Sequence, residues 1–290
     1  MTIRRFVRDQ DDRDWAELAN IHQAEFHKSM QNPEFDDAGM YIAQTGKNAV
    51  GIADAHIHTS PSCPAFCVLR DFHVRADSWD AVAPLLLDTA MTSFIERDAK
   101  AVEVCSPEEA KRYISLLESR GFETKSVDCR IKHELKHVPL VESPRLCFKT
   151  YSEIPDPAMI EKLQNSIFDG LIGRPVTKEE ITFWMKNLDF ECFVGYYDGE
   201  PAASSFCETK VAKTEKHGWI YGLGVLPIHR RLKIGTALAY RVLNRLKIRG
   251  ATSAFMETDY GGYEQRFYES IGFRVEGKVV CLQKKMQKIT

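Results

Sequence analysis

The stretch from Val225 to Leu238, VLPIHRRLKIGTAL, places Arg230, Arg231, Lys233 and Gly235 directly ahead of a long apolar series. That series, Ile234, Leu238, Val242 and Leu246, has helical spacing. The amides from about Leu232 to Thr236 therefore fall at a helix start, where backbone N–H groups have no intrahelical acceptor. Such an end attracts anions through the helix dipole, and Gly235 lets an anion approach the main chain closely. With three cationic side chains beside it, the chemistry expected is diphosphate binding. Charge-assisted hydrogen bonds are worth about 1.5–3 kcal/mol each, so a few of them would hold a nucleotide-bearing co-substrate.

Those residues need a strand before them and a helix after them, and the chain supplies that arrangement twice. Glu118-Ser119-Arg120-Gly121-Phe122 and Glu269-Ser270-Ile271-Gly272-Phe273 are nearly the same pentapeptide, with glycines 272 − 121 = 151 positions apart. The same offset carries His73-Val74 onto Gly224-Val225, and the apolar run from Ala101 to Cys105 onto that from Thr252 to Met256. A proline-containing stretch from His137 to Arg145 reads as the linker, which gives domains over residues 1–138 and 145–290. In the second copy the periods predict a strand at Leu146–Thr150, helices over Ala158–Phe168 and Thr177–Asn187, and a hairpin turning at Asp198-Gly199. A strand over His217–Val225 follows, then a long helix from Ile234 that ends at Gly250, a buried strand at Ala254–Met256, a helix over Gln265–Ile271 and a last strand pair over Phe273–Met286. The first copy predicts a comparable series: a strand at Ile3, a helix over Asp14–Phe26, strands around Met40–Ala43, Ala49–His58 and Phe66–Val74, a helix over Trp79–Glu96, a strand at Ala101–Cys105 and a helix over Pro107–Leu117. The fold class is α/β of the α+β type, each half a mixed, mainly antiparallel sheet flanked by helices.

Composition narrows the function. The 290 residues are 44% hydrophobic and 28% charged, as in a folded protein, and 39 basic against 41 acidic residues give a net charge of −2. That balance offers no overall attraction for nucleic acid. No stretch reaches the length of about 18 apolar residues that a membrane span requires, and the first fifteen residues contain no secretory apolar core. The eight cysteines are scattered mostly one per apolar segment, which reads as reduced, buried thiols and a cytoplasmic protein.

The loop resembles that of the GNAT superfamily of N-acetyltransferases, whose pyrophosphate motif reads V-x-P-x-x-[RQ]-x-x-G-x-[GA]-x-x-L. Val225, Pro227, Arg230, Gly235 and Leu238 fall on it, and Lys233 stands where its first glycine is expected. Position 233 lies at the opening turn, so an ordinary helical conformation is expected there. The second signature, a tyrosine four residues before Gly-Phe, is present as Phe267-Tyr268 ahead of Gly272-Phe273, while the usual asparagine is Gly261. The resemblance implies two tandem GNAT-like domains using acetyl-CoA without a metal. The first has lost its site: on the 151 offset, Trp79 replaces Arg230, Val82 replaces Lys233, Pro84 replaces Gly235 and Leu117 replaces Tyr268. It is expected to wall the substrate cleft or to present a docking surface.

The same resemblance assigns roles. Main-chain groups of Leu223, Gly224 and Val225 would bind the pantetheine arm and the acetyl carbonyl, and Arg230, Arg231, Leu232, Lys233, Ile234, Gly235 and Thr236 would hold the diphosphate. Tyr268, with a reference pKa of about 10 against about 8.5 for a thiol, would protonate the departing thiolate. A primary ammonium is almost wholly charged at neutral pH, so a base is needed; Glu257, at a strand end beside the cleft, is the candidate, with Glu208 and Asp259 as rivals. The function implied is direct acetyl transfer to a primary amine of a small molecule or peptide, with a non-catalytic acyl-CoA sensor or interaction protein as the alternative. Nothing in the residues specifies the acceptor or the oligomeric state.

Four other signals are weaker. His133-Glu134-Leu135-Lys136-His137 matches a zinc-protease pattern, but residues from Val127 to Leu135 alternate with period two, and on a strand residues four apart lie about 13 Å apart. His56 and His58 also sit on a strand, and Cys63 and Cys67 lack the spacing of a zinc pair. Arg241, Arg245, Lys247 and Arg249 read as a solvated face that complements the helix C-terminus.

Overall fold

Ile234, Ala237, Leu238, Val242, Leu243 and Leu246 are all buried, which makes Ile234–Ile248 a helix seated on a sheet through one face. It ends as its sequence requires: Gly250 adopts φ +87°, and the Ala251 amide donates back to the Leu246 carbonyl. The computed structural model describes residues 1–21, 23, 26, 27, 30, 37–60, 63–169, 176–212 and 215–286, with the side chains of 58–60, 63–66 and 212 left aside. The side chains of His58 and Cys63, and much of the helix expected up to Phe26, lie outside the described residues.

Packing divides the chain into two units, Met1–Ser126 with the chain from Val280 on, and Val127–Val279. The first holds β1 (Thr2–Arg5), α1 (Asp12–Ala19), β2 (Met40–Thr45), β3 (Asn48–Ser60), β4 (Cys63–Val74), α2 (Trp79–Glu96), β5 (Ala101–Pro107) and α3 (Lys111–Ser119). Its strand order is β1-β2-β3-β4-β5, followed by the end of β12 (Arg274–Lys285). β4 and β5 pair in parallel; β1 to β4 pair antiparallel in succession. Leu86, Leu87 and Phe94 of α2 pack with Val102 and Leu117 in one core. Trp15 of α1 packs with Phe6, Ile42 and Ile52 in another.

The second unit begins within β6 (Glu123–His133) and continues through β7 (Leu146–Thr150), α4 (Pro157–Ile167), α5 (Lys178–Trp184), β8 (Phe190–Tyr197), β9 (Glu200–Ala212), β10 (Glu215–Val225), α6 (Ile234–Ile248), β11 (Ser253–Asp259) and α7 (Tyr263–Ser270). Its order is β12-β6-β11-β10-β9-β8-β7, with β10 and β11 parallel. The β8–β9 hairpin turns on Asp198 (φ +50°) and Gly199 (φ +88°), the two left-handed residues of a tight hairpin turn. Thr177 and Glu180 form a reciprocal capping box that starts α5.

The units interleave along the chain where the sequence copies run end to end. β6 pairs antiparallel with β11 from Ala254↔His133 to Asp259↔Asp128, which places Val127–His133 in the second unit. The end of β12 serves the first unit: the Lys284 ammonium donates to the Arg120 carbonyl, and Gln283 to Glu103. Instead of a strand pair over Phe273–Met286, Arg274–Lys285 is one strand, because Gly277 continues extended and no turn interrupts it.

The reading of the cysteines as uniformly reduced is corrected here. Cys105 on β5 and Cys281 on β12 form a disulfide, with Cα atoms 4.1 Å apart on neighbouring strands although 176 residues separate them. Cys67, Cys129, Cys192 and Cys207 are free and buried, and Cys147 is free and exposed. Among the described residues no helix is long and apolar enough to cross a membrane, and no group of three or more His, Cys, Asp or Glu is placed to hold a metal ion.

Candidate functional site

β10 runs in register with β9 from Glu215↔Ala212 to Tyr221↔Phe206, then shifts and resumes at Gly224↔Ser204. The extra residue is absorbed at Gly222, whose φ of +53° is open to glycine at little cost. On its other edge β10 pairs with β11 only at His217, Gly218 and Trp219. Beyond Trp219 the two parallel strands diverge, and Leu223, Gly224 and Val225 have no strand partner on that side. The gap opens into a cleft of about 330 Å³ that joins those three residues to the loop at 229–236 and to Phe267 and Tyr268 of α7.

Gln164 holds the bulge in place. From the buried face of α4 its amide nitrogen donates to the Gly222 carbonyl at 3.0 Å, while the Ser204 hydroxyl donates to its amide oxygen at 2.5 Å. Both side chains are buried. Sequence reasoning passed over Gln164; its only signal was a polar residue between Leu163 and Ile167 on an apolar helix face. A Cβ on Gly222 would lie 1.9 Å from the Gln164 amide nitrogen, and one on Gly224 would lie 2.2 Å from Ile167. Close approach of α4 therefore requires both glycines.

The loop brings the expected cations together. After a short 3-10 turn at Pro227–His229, Arg230 is extended, Arg231 turns left-handed at φ +64°, and α6 starts at Ile234. The first helical bond runs from the Ala237 amide to the Lys233 carbonyl, so the amides of Ile234, Gly235 and Thr236 lack acceptors within the helix. Arg230 donates to the Val225 carbonyl at 3.2 Å; among the described residues none of Arg230, Arg231 and Lys233 is ion-paired.

Lys233 itself departs from expectation. It caps α6 with φ +60° and ψ +11°, a left-handed conformation rather than a helical one. Arg231 and Lys233, two apart, are both left-handed, a conformation that occurs in main-chain anion nests and that glycine takes at least cost, which explains why the motif has glycine here. A non-glycine residue pays about 1–2 kcal/mol for this conformation, partly offset by the lower chain entropy lost on folding. Lys233→Gly should accordingly stabilise the protein by about 1 kcal/mol and raise Tm by roughly 2–4 °C. The same variant should weaken CoA binding about tenfold through the lost charge. Calorimetry and CoA titration check the two opposite signs.

Tyr268 is buried against Phe267 and Phe273 and lines the cleft. Burial, with a smaller contribution from Glu264, raises its phenol above the ordinary value, so it remains a proton donor. Glu257 is exposed outside the cleft lining, and Arg130 donates to it at 2.8 Å while stacking over Trp219. Glu208 is better enclosed: the Tyr221 hydroxyl donates to it at 2.5 Å and Lys210 pairs with it at 2.8 Å. Burial and the nearby carboxylates of Glu208 and Glu257 raise the Tyr221 phenol, which keeps that proton on Tyr221. Asp259 ends β11, and its carbonyl accepts from the Gly262 amide. Gly261 turns left-handed at φ +77° and donates to Gln265. In the zinc-like segment, His133 is a buried strand residue whose Nδ1 accepts the Leu135 amide, and burial lowers its pKa.

A diverging parallel strand pair, an open helix start and a buried tyrosine meet around one cleft in the second unit. Residues 158–273, all within the second unit, match the model of the acetyltransferase (GNAT) family. Solved structures agree in fold. A GCN5-related N-acetyltransferase from Sphaerobacter thermophilus superposes with TM-score 0.75 at 15% identity, covering 98% of this chain and 95% of the other. A tandem GNAT protein from the clavulanic acid biosynthesis pathway gives 0.72 at 11%, covering 98% of both. A GCN5-related glucosamine N-acetyltransferase region of a fungal multi-domain GH3 β-N-acetylglucosaminidase gives 0.77 at 14%; 98% of this chain is covered but only 38% of that one. No curated protein sequence matches this chain.

Proposed function

We propose that the second unit is an acetyl-CoA-dependent N-acetyltransferase that transfers acetyl directly to a primary amine of a small molecule or peptide. The observation that carries this reading is the meeting in one cleft of the strand edge at Leu223–Val225 that β11 leaves uncovered, amides at Ile234–Thr236 without acceptors in the helix, three cations with no ion-pair partner among the described residues, and Tyr268. These residues fit the co-substrate's parts. The loop 230–236 holds the diphosphate, and the edge of β10 pairs with the amides of the pantetheine arm.

The amine nitrogen forms its bond to the acetyl carbon as the carbon–sulfur bond breaks. Main-chain N–H groups of Leu223–Val225 hold the developing oxyanion. Tyr268 delivers its proton to the leaving sulfur. One ammonium proton is taken by Glu257, or by Glu208, and the second nitrogen proton, released as the amide forms, restores the Tyr268 phenol. Glucosamine is the first small amine to test, because one similar structure is named as a glucosamine N-acetyltransferase region.

Thermal shift with CoA and with acetyl-CoA, then thiol release with glucosamine and peptide amines, tests the reading. A stabilising shift with both nucleotides and amine-dependent thiol release are expected. No shift with either would overturn it.

A further inference from the structure

The first unit has lost the anion loop but has kept the gap. Among the described residues β4 pairs with β5 only at Cys67↔Val102 and Val68↔Glu103, after which the strands part. The register of β4 against β3 shifts between Ile52 and Asp54, and Asp71 stands there at φ +34°. On the 151 offset Asp71 falls on Gly222, so the bulge recurs at the same place with a residue that pays strain to form it. The resulting cleft, about 510 Å³, lies between Leu69–His73 of β4 and Val104–Pro107 of β5. The Cys105–Cys281 disulfide ties β5 to β12, so its cleft edge is held without β4.

The lining differs in kind from that of the second unit. Phe72 and Tyr113 stack at 4.8 Å, and Trp79, standing where the second copy has Arg230, meets both edge-on. The Tyr113 hydroxyl is buried with no hydrogen-bond partner, an arrangement that costs stability unless something uses the proton. Charge is balanced: Arg112 pairs with Asp80 and stands over one side of the Trp79 ring, Lys111 shares the lining with Asp71 and Glu109, and Arg70 is engaged by Asp54 and His56. No loop or charge excess there suits a diphosphate. Two unpaired strand edges instead call for a partner with alternating N–H and C=O groups.

We propose that this cleft binds an extended, uncharged peptide segment that adds as a strand between β4 and β5, with an aromatic or large apolar side chain against Trp79 and Phe72 and a carbonyl accepting from Tyr113. At about 3.3 Å per residue, the four to five residues on each edge span about 13–16 Å, the reach of a three-residue segment with a further peptide group at either end. The site is separate from the acetyltransferase cleft and does not depend on it.

The probe is N-acetyl-alanyl-phenylalanyl-alanine methylamide, titrated into the full chain and followed by NMR at the Trp79 indole N–H and the amides of 69–73 and 104–107, with Trp79→Phe for assignment. Saturable shifts confined to these signals are expected. An analogue with N-methylated central amides should bind at least tenfold more weakly, as should the peptide to Tyr113→Phe. Because Tyr113→Phe removes a partnerless donor, its Tm should hold or rise, which separates lost binding from lost folding. No response at millimolar peptide, an equal response to the N-methylated analogue, or saturation by pantetheine in place of the peptide would overturn the proposal. CoA-induced shifts at 230–236 report the other cleft independently.

Discussion

Tyr268→Phe should lower kcat by about 10²–10⁴ while leaving CoA affinity within about twofold, the range expected for loss of a positioned general acid. The ring stays where it is, because its packing against Phe267 and Phe273 involves no hydroxyl, so Tm should move little. The direction of its pKa adds a second readout. An acid works while protonated, and a phenol raised above its ordinary value loses its proton only as pH rises through that higher pKa. The wild-type rate profile should therefore show no alkaline fall from this group below about pH 10. A variant with full turnover would show that the thiolate leaves unprotonated or is protonated from water. A protein with CoA binding and no turnover in either form would be the acyl-CoA sensor.

What the residues announce in advance is what depends on neighbours along the chain. The helix at Ile234–Ile248, its stop at Gly250 and the Asp198-Gly199 hairpin follow from period and turn chemistry, and the cations of the loop come with the motif. The bulges at Asp71 and Gly222 coincide on the 151 offset, but only the strand registers reveal them. What stays hidden is set by contacts across the sheet. Cys105 and Cys281 look like solitary apolar-segment cysteines until β5 and β12 are known to be neighbours. The assignment of Val127–His133 to one unit and of the chain from Val280 to the other depends on strand pairing that no local pattern encodes. Lys233 misleads for another reason: a lysine in a glycine's place reads as tolerance of an ordinary backbone, whereas the loop imposes its conformation on whatever residue is there.

The Gln164 clamp should prove the most sensitive point of the cleft outside the reacting groups. Gln164→Leu keeps the volume but leaves the Gly222 carbonyl and the Ser204 hydroxyl buried without partners. At about 1–3 kcal/mol for each unsatisfied group, a loss near 3 kcal/mol and a Tm lower by roughly 6–12 °C are expected. The chemical consequence should exceed the thermal one at temperatures where the protein is still folded. With the bulge released, β10 can close on β11, and the edge at Leu223–Val225 that meets the acyl chain is lost, so the response to CoA should fall with it. Ser204→Ala added to Gln164→Leu removes one of the two stranded groups and should recover about 1 kcal/mol of stability without recovering CoA binding, because the Gly222 carbonyl still lacks its donor. Recovery of both together would mean that the clamp serves only packing. Unchanged stability and CoA response in Gln164→Leu would mean that Gly222 sets the strand separation by its backbone alone.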